Sequence, residues 1–405
     1  MPEAVIVATA RTPIGRAFKG SLKDERPDDM VAQVIASVLQ RTPELDPGEI
    51  DDLVLGCGSP GGQQGFNMAR VVAVMLGLDH LPGTTVNRYC ASSVQSTRMA
   101  FHAIRAGEGD IFMSAGVESC SSYVHGEADS LPDTMNPLFD AARARSDEVA
   151  ATNPPWTDPR SAGLLPDVYV EMGQTAENVA LHRGVTREAM DEYALLTQQR
   201  AARALENGFW SRDITPYTRA DGAVVDADDS PRPTTTAEGL AGLKPAFRED
   251  GRVTAGNACP LSDGASAVLL MSDVRARELG LTPLARIVST GVSGLSPEIM
   301  GLGPVEASRQ AMTRARLTMK DIGLVEINEA FAAQVLPSAD DLGISMEKLN
   351  VNGGAIAVGH PFGSTGGRIT STLINALRER DAEIGLEAMC VGGGQGMAMI
   401  LERLS

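Results

Sequence analysis

The chain has 405 residues, of which 43% are hydrophobic and 21% charged, so it has the composition of a folded globular protein long enough for two or three domains. Its 52 acidic and 35 basic residues give a net charge of -17, which argues against nucleic acid and anionic membrane surfaces as partners. A local basic pocket for a small phosphate ligand is compatible with that charge. No apolar run reaches the roughly 18 residues that a membrane span requires.

The first part of the chain predicts alternating strands and helices. Residues 5–8 indicate a buried first strand, and no basic segment precedes it as in a signal peptide. Apolar side chains recur at helical spacing in residues 30–39 and 91–105, whereas residues 53–55 and 111–114 are strand-length apolar runs that end near glycine. This alternation predicts an α/β fold with a largely parallel sheet.

The pattern changes after Glu118, where the sequence becomes polar and rich in Pro, Asp, Arg and Thr. Two helices are predicted in this stretch, at residues 175–182 and 187–207. We therefore expect residues 120–260 to form an inserted, separately packed region. A strand predicted at residues 267–271 marks the return of the α/β pattern.

The two ends of the chain share a faint repeat: a strand, a second strand, a polar turn into a helix, and a strand that ends in glycine. The spacing from Gly56 to Cys90 is close to that from Asn328 to His360, so Cys90 and His360 fall at corresponding places. Two similar halves packed side by side could bring these positions together.

Cys90 lies in N-R-Y-C-A-S-S, between a predicted strand and a predicted helix. A thiol at a helix N-terminus meets a positive potential and free amides, which favour the thiolate. The alternative is a buried cysteine that acts as a small hydrophobic side chain. His360 lies in the glycine-rich V-N-G-G-A-I-A-V-G-H-P-F-G, where Pro361 suits the first turn of a helix. Neither a G-K-[ST] nor a G-x-G-x-x-G phosphate motif is present there.

Two further sites follow predicted strands. Cys390 precedes V-G-G-G-Q-G, whose bare amides could form an oxyanion hole or merely a tight turn. Asn328, in V-E-I-N-E-A-F, could be a site residue or a helix N-cap. Taken together, two cysteines, a histidine, an asparagine and an amide source at strand ends predict nucleophilic acyl transfer.

The cysteines also bear on compartment and cofactors. There are five, at widely separated positions and without a C-x-x-C pair: Cys57, Cys90, Cys120, Cys259 and Cys390. This usage argues against a disulfide framework or a zinc site and favours a reducing, cytoplasmic compartment. We expect no bound metal and no redox cofactor.

Six blocks, in order along the whole chain, resemble the thiolase family: N-R-Y-C-A-S-S, M-G-Q-T-A-E-N, V-T-A-G-N-A-C-P-L-S-D-G-A, N-E-A-F-A-A-Q, N-V-N-G-G-A-I-A-V-G-H-P-F-G and C-V-G-G-G-Q-G. The resemblance implies two similar βαβαβαββ halves in a five-layered core, with an inserted α-rich loop domain. It divides the chain into an N-terminal half (1–119 with 261–283), a CoA-binding loop domain (120–260) and a C-terminal half (284–405).

The resemblance also implies roles for individual residues. Cys90 is the nucleophile that becomes acylated, His360 takes its proton, and Cys390 exchanges a proton with the α-carbon of acetyl-CoA. A water held by Asn328 forms one oxyanion hole with His360, and the amides of Cys90 and Gly392 form the second. CoA is a co-substrate, with no permanently bound cofactor, and its expected contacts are Arg232, Phe247, Cys259 and Met172.

The implied activity is CoA-dependent thiolysis of 3-ketoacyl-CoA in fatty-acid or steroid side-chain β-oxidation, by a dimer or tetramer that could have a hydratase/dehydrogenase partner subunit. Glu171 stands where acetoacetyl-specific relatives usually have His, and Cys259 where they have Ser, which favours the degradative reaction. The alternatives are a biosynthetic acetoacetyl-CoA thiolase, a non-catalytic lipid- or CoA-binding protein of the same fold, a papain-like hydrolase using Cys90, His360 and Asn328, and a ketoacyl-ACP synthase.

Overall fold

The structure, a computed structural model, describes residues 2–126 and 131–405. Its strands are β1 (Ala4–Arg11), β2 (Gly15–Arg16), β3 (Asp52–Cys57), β4 (Gly83–Val86), β5 (Ile111–Ser119), β6 (Tyr217–Thr218), β7 (Val224–Val225), β8 (Ser262–Ser272), β9 (Ala285–Gly294), β10 (Leu324–Ile327), β11 (Ile384–Val391) and β12 (Gln395–Arg403). Its α-helices are α1 (Pro27–Arg41), α2 (Met68–Met75), α3 (Ser92–Ala106), α4 (Asp140–Thr152), α5 (Met172–His182), α6 (Arg187–Glu206), α7 (Phe209–Asp213), α8 (Ala237–Ala241), α9 (Asp273–Glu278), α10 (Gly303–Ala315), α11 (Ala332–Leu342), α12 (Ala355–Val358) and α13 (Thr365–Glu379).

Ten of these strands form one sheet in the order β10-β11-β12-β9-β1-β8-β5-β3-β4, with β2 paired to β8. The prediction of a largely parallel sheet was wrong, because the sheet is mixed. Only β3–β4, β3–β5 and β10–β11 are parallel, and the other pairs are antiparallel. The strand after each parallel set returns in the opposite direction, as β12 does after the tight turn that follows β11.

The sheet confirms two similar halves. The order β4-β3-β5-β8-β1 in the first half matches β10-β11-β12-β9 in the second, with β3 corresponding to β10 and β5 to β11. The place of β4 is taken in the second half by an isolated parallel bridge between Val325 and Leu349. The halves join edge to edge where β1 pairs with β9.

Helices complete a five-layered arrangement. Helices α3 and α13 pack on each other and contact strands of both halves, so they form the middle layer. Helices α1 and α2 cover the outside of the first half, and α10 with α11 covers the second. Three buried hydrophobic clusters occupy the spaces between these layers. Helix α13 is buried along most of its length, as expected of a central helix.

Each predicted element is present, and most are longer than predicted. The clearest error is the strand expected at residues 111–114, which continues to Ser119. Gly116 does not end it, because this glycine serves close packing: an added Cβ would lie 2.4 Å from the carbonyl oxygen of Gly363.

Helices α4–α8 and the hairpin β6–β7 lie between β5 and β8. The boundaries of the domain expected there, residues 120–260, stay a prediction. Within residues 2–126 and 131–405, no helix combines the length and apolar character needed to span a bilayer.

Candidate active site

Cys90 lies in the turn that connects β4 to α3. Tyr89 adopts a left-handed φ of 44°, and a short 3₁₀ turn follows before the helix begins. The hydroxyl of Ser92 fixes this turn by accepting a hydrogen bond from the amide of Arg88 (2.9 Å) and donating one to the carbonyl of Tyr89 (2.7 Å). The thiol of Cys90 is thereby held at the N-terminal end of α3, with 8% of the residue exposed.

The second half of the chain supplies the other side of this site. The amide of Gly392, in the glycine turn between β11 and β12, donates a hydrogen bond to the sulfur of Cys90. Gly393 and Gly394 have φ of 72° and 82°, a conformation that favours glycine. Burial raises the pKa of the Cys90 thiol to about 12, although the Gly392 amide acts in the opposite direction.

Three cysteines converge at this point. Burial raises the pKa of Cys390 well above its usual value, and the proximity of the Cys90 and Cys259 thiols raises it further. Burial likewise raises the pKa of Cys259, with Cys90 as the next contributor. Cys390 lies at the end of β11, while Cys259 precedes β8 and is held by a 3.1 Å hydrogen bond from its amide to the carbonyl of Ala330. Cys57 and Cys120 are also unpaired and buried.

His360 and Asn328 form a direct pair beside these thiols. Nδ2 of Asn328 lies 3.1 Å from Nε2 of His360, and Nδ1 of His360 lies 2.6 Å from the hydroxyl of Thr365. Asn328 follows β10, and its backbone N–H donates a hydrogen bond to the carbonyl of Ala388 on β11. The ring of His360 stands 5.0 Å from that of Phe362, a side chain that also lines the cavity above Cys90. The structure thus joins Asn328 to the imidazole without an intervening group.

Without substrate, the side chains of Cys90 and His360 are both uncharged at neutral pH. Burial, with a smaller contribution from Arg368, lowers the pKa of His360 to about 3. At neutral pH the raised pKa of Cys90 and the lowered pKa of His360 give a thiol and an uncharged imidazole. A papain-like hydrolase depends on a thiolate with a strongly lowered pKa, so the arrangement argues against that alternative.

A cavity of about 270 Å³ opens above Cys90. Its walls are mainly apolar or glycine: Gly58, Tyr89, Cys90, Thr134, Met135, Val168, Tyr169, Val170, Met172, Phe362, Gly392 and Gly393. The hydroxyl of Tyr169 accepts a 3.1 Å hydrogen bond from the amide of Asn136, which ties the segment carrying Met135 over the cavity. An apolar chain attached to Cys90 would therefore find a matching surface here.

A larger cavity, of about 610 Å³, reaches Cys259 from another direction. Its lining includes two cations, Arg16 and Arg232, together with the hydroxyl residues Ser230, Thr234, Thr235 and Thr236. Of the four expected CoA contacts, Arg232 and Cys259 line this cavity, whereas Met172 lines the cavity above Cys90. Phe247 lines neither; its ring packs edge-to-face on Phe331, 6.1 Å away.

Arg16 and two buried glutamates that hold the site together are not predicted from the sequence. Glu118, at the end of β5, accepts hydrogen bonds from the amides of Gly58 (2.8 Å) and Gly363 (2.9 Å), which links the two halves beside the site. Glu329 accepts hydrogen bonds from Tyr193, Thr197, Asn350 and the amide of Ile356. Their signal in the sequence was an acidic residue at or just beyond the end of an apolar strand, in V-E-S and I-N-E.

Among the described residues, no group of three or more His, Cys, Asp or Glu side chains could hold a metal ion. The chemical resources of the site are therefore buried thiols, a neutral imidazole, a side-chain amide and a bare backbone amide. These groups suit a covalent acyl intermediate with hydrogen-bond donors for a developing oxyanion.

Fold and site together define an α/β enzyme with a cysteine-based centre built by both halves of the chain. Residues 4–274 match the family model for the thiolase N-terminal domain, and residues 281–403 match that for the thiolase C-terminal domain. The chain belongs to the thiolase family and is an acyltransferase.

Individual relatives agree over their full length. The 3-ketoacyl-CoA thiolase of Saccharophagus degradans is 44% identical, over 99% of this chain and 98% of its own. The dimeric peroxisomal thiolase of Saccharomyces cerevisiae matches with a TM-score of 0.89 and 34% identity, over 99% of this chain and 98% of its own. Human mitochondrial 3-ketoacyl-CoA thiolase, solved in complex with CoA, matches with a TM-score of 0.85 and 35% identity over the same shares.

Proposed function

We propose that the protein catalyses the CoA-dependent cleavage of 3-ketoacyl-CoA into acetyl-CoA and a shortened acyl-CoA, with the acyl group carried by Cys90. The observation that carries this proposal is the position of Cys90: its sulfur bonds the Gly392 amide, and Cys390 and Cys259 lie beside it. Several relatives are named 3-ketoacyl-CoA thiolase, which supports the same substrate.

In the proposed first half-reaction, His360 takes the proton of the Cys90 thiol as the sulfur bonds the 3-keto carbon. The bond between that carbon and the α-carbon then breaks, and acetyl-CoA leaves as its enolate. Cys390 gives its proton to the enolate carbon. The enolate is strongly basic unless its oxygen is hydrogen-bonded, and one such donor is worth about 3 kcal/mol.

In the proposed second half-reaction, free CoA releases the acyl group. The CoA thiol returns a proton to Cys390, and its sulfur displaces Cys90 from the thioester. Cys90 then recovers the proton held by His360, so the enzyme is restored. The amides of Cys90 and Gly392 would bind one oxyanion, and Asn328 with His360 the other.

We assign CoA to the 610 Å³ cavity. The support is its pair of arginines in a protein of net charge -17, and the presence of Cys259 among the residues that line it. Arg232, Cys259, Met172 and Phe247 are the proposed contacts, and residues 120–260 the proposed CoA-binding domain. The apolar cavity above Cys90 is the proposed acyl pocket, which favours a fatty acyl chain.

We further propose that the protein works in the cytoplasm, in fatty-acid β-oxidation, as a homo-oligomer that is either a dimer or a tetramer. Its five unpaired cysteines support a reducing compartment. Strand β4 forms an edge of the sheet, and the neighbouring Phe66 and Val74 are 98% and 49% exposed, which supports burial against another copy. A hydratase/dehydrogenase partner subunit is the alternative to a second copy of this chain. Co-purification together with sedimentation analysis would distinguish a dimer, a tetramer and a complex with such a partner.

The direct test is a thiolysis assay with 3-ketoacyl-CoA substrates of short, medium and long chains. Wild-type protein should abolish the absorbance of the substrate enolate only when CoA is present. A non-catalytic lipid- or CoA-binding protein would bind CoA without changing that absorbance, and this result would refute the proposal. A dedicated biosynthetic thiolase would cleave acetoacetyl-CoA but not the longer substrates.

A further inference from the structure

The hydroxyl of Thr365 contacts two groups at the start of α13. It lies 2.6 Å from Nδ1 of His360 and 2.9 Å from the carbonyl oxygen of Pro361. Thr365 is fully buried, and Pro361 is the fourth residue before it. We infer that Thr365 is a positioning residue that holds His360 in the tautomer with its proton on Nδ1 and its lone pair on Nε2. This inference rests on the proposed function for its catalytic meaning.

Proton counting supports the assignment. A carbonyl oxygen can only accept, and a threonine hydroxyl has one proton, so the bond to Pro361 uses that proton. The hydroxyl oxygen is then left to accept from Nδ1 of His360, which must carry a hydrogen. In a neutral imidazole the other nitrogen, Nε2, consequently has the lone pair.

Asn328 agrees with this assignment from the opposite side of the ring. Its Nδ2, which can only donate, lies 3.1 Å from Nε2. The reverse tautomer would place an N–H of the ring against the N–H of Asn328. Relief of that conflict requires the amide of Asn328 to turn over and the Thr365 hydroxyl to leave Pro361, so both partners of the ring would have to change together.

The consequence concerns which nitrogen can act as a base. Nδ1 carries its hydrogen toward Thr365, whereas Nε2 carries the lone pair of the ring, which accepts the Nδ2–H of Asn328 at rest and can take up a proton once that contact opens. When Nε2 takes a proton, the Nδ1–H bond to Thr365 persists and stabilises the imidazolium, as partners of this kind do for other histidines. Loss of the hydroxyl leaves a buried Nδ1–H without an acceptor and removes the preference for this tautomer.

The test compares Thr365→Val, which removes the hydroxyl at nearly constant shape, with Thr365→Ser, which keeps it. The control is Thr370→Val on the same helix, because Thr370 also donates to the carbonyl four residues earlier, at 2.9 Å, but does not contact His360. We expect Thr365→Val to lower the rate of Cys90 acylation in single turnover by about 10- to 100-fold, with Thr365→Ser restoring most of it. Thr370→Val should stay within a few-fold of wild type.

A spectroscopic measurement separates this inference from the proposed function. Nitrogen NMR of protein labelled at its five histidines reports the tautomer of each ring, and loss of one signal set in His360→Asn assigns His360. Wild type and Thr365→Ser should show Nδ1–H, and Thr365→Val a mixed or reversed tautomer. An Nε2–H tautomer in wild type, or an unchanged tautomer in Thr365→Val, would overturn the inference whether or not the protein performs thiolysis.

Discussion

The backbone amide of Gly392 donates a hydrogen bond to the sulfur of Cys90, although the two residues belong to opposite halves of the chain. Cys90 is positioned by the turn between β4 and α3, and Gly392 by the turn between β11 and β12. Neither half therefore contains a complete site. The amide that stabilises charge on this sulfur is available only when the halves are packed together.

Replacement of Cys90 by alanine should abolish both covalent labelling by acyl-CoA and thiolysis, because it removes the proposed nucleophile. Cys57→Ala and Cys120→Ala are matched controls, since both are buried and unpaired, Cys57 at the end of β3 and Cys120 directly after β5. Mass spectrometry of the intact protein after incubation with acyl-CoA measures the label. Acyl label retained in Cys90→Ala would disprove the assignment.

Alkylation of Cys90 should become steadily faster as pH rises. With a pKa near 12, the thiolate fraction increases about tenfold per pH unit over the whole range from neutral to pH 9. The lowered pKa of His360 means that no imidazolium is present to stabilise a thiolate at neutral pH. The rate of iodoacetamide addition to the Cys90 peptide measures this dependence. A plateau below pH 8 would instead indicate a thiolate–imidazolium pair.

The arginines that line the larger cavity should bind CoA without taking part in the chemistry. Arg16→Ala and Arg232→Ala should each raise the KM for CoA about three- to tenfold, and the double variant more, because each removes a charged donor to phosphate. The kcat should change little, as expected for uniform binding. Arg277→Ala is a suitable control, since that side chain is 74% exposed on α9. An unchanged KM in the double variant would exclude these residues from the CoA site.

The sequence alone was sufficient for the parts of the site that depend on short motifs. Cys90 and Asn328 follow strands, Cys390 lies near the end of one, and His360 follows a glycine-rich turn; local patterns of apolar runs and glycines are enough to find such places. Arg16 and Glu118 could not be predicted, because their partners depend on how distant segments pack. Thr365 has near partners, His360 and Pro361, but its contact with the imidazole depends on the geometry of the turn into α13, which the residue types alone do not give. Arg16 lines the same cavity as Arg232, which is far from it in the sequence. Glu118 accepts hydrogen bonds from backbone amides of both halves.

The same limit explains the errors in the fold. Gly116 lies within a strand although its residue type predicts a strand end, because a single sequence does not show that the carbonyl of Gly363 approaches it. Local patterns also do not predict the relative direction of neighbouring strands, since a buried run of apolar residues is equally compatible with parallel and antiparallel neighbours. The two similar halves could be predicted because the same order of strands and helices occurs twice along the sequence.

The roles of the two central cysteines should separate in Cys390→Ala. Acylation by a simple acyl-CoA should persist, because it requires Cys90, His360 and the Gly392 amide. Exchange of the α-hydrogens of acetyl-CoA with solvent deuterium should fall about 10²- to 10⁴-fold, the usual value of general acid–base catalysis. Proton NMR of acetyl-CoA in deuterated buffer measures the exchange. Exchange at the wild-type rate would show that another group, most simply His360, moves the proton.

A pair of buried carboxyl groups away from the site predicts how stability varies with pH. Glu326 and Glu387 are directly paired on β10 and β11, and burial raises the pKa of each to about 8. Arg368, also buried, is the nearby cation that lowers both values. In the unfolded chain these groups titrate near pH 4.3. The folded state therefore binds more protons between about pH 4.3 and pH 8, and the free energy of unfolding should fall as pH rises through that window.

Glu387→Gln should remove one of these titrations, because the side-chain amide cannot ionise and can still form a hydrogen bond with the hydroxyl of Thr370, which lies 3.1 Å from Oε1 of Glu387. Its stability relative to wild type should increase from pH 5 to pH 8, by at most about 1.4 kcal/mol per pH unit. Urea denaturation at pH 5, 6.5 and 8 measures the difference, with surface Glu347→Gln as the control. A difference that stays constant or shrinks with rising pH would mean that Glu387 is already ionised in the folded protein, held by Arg368.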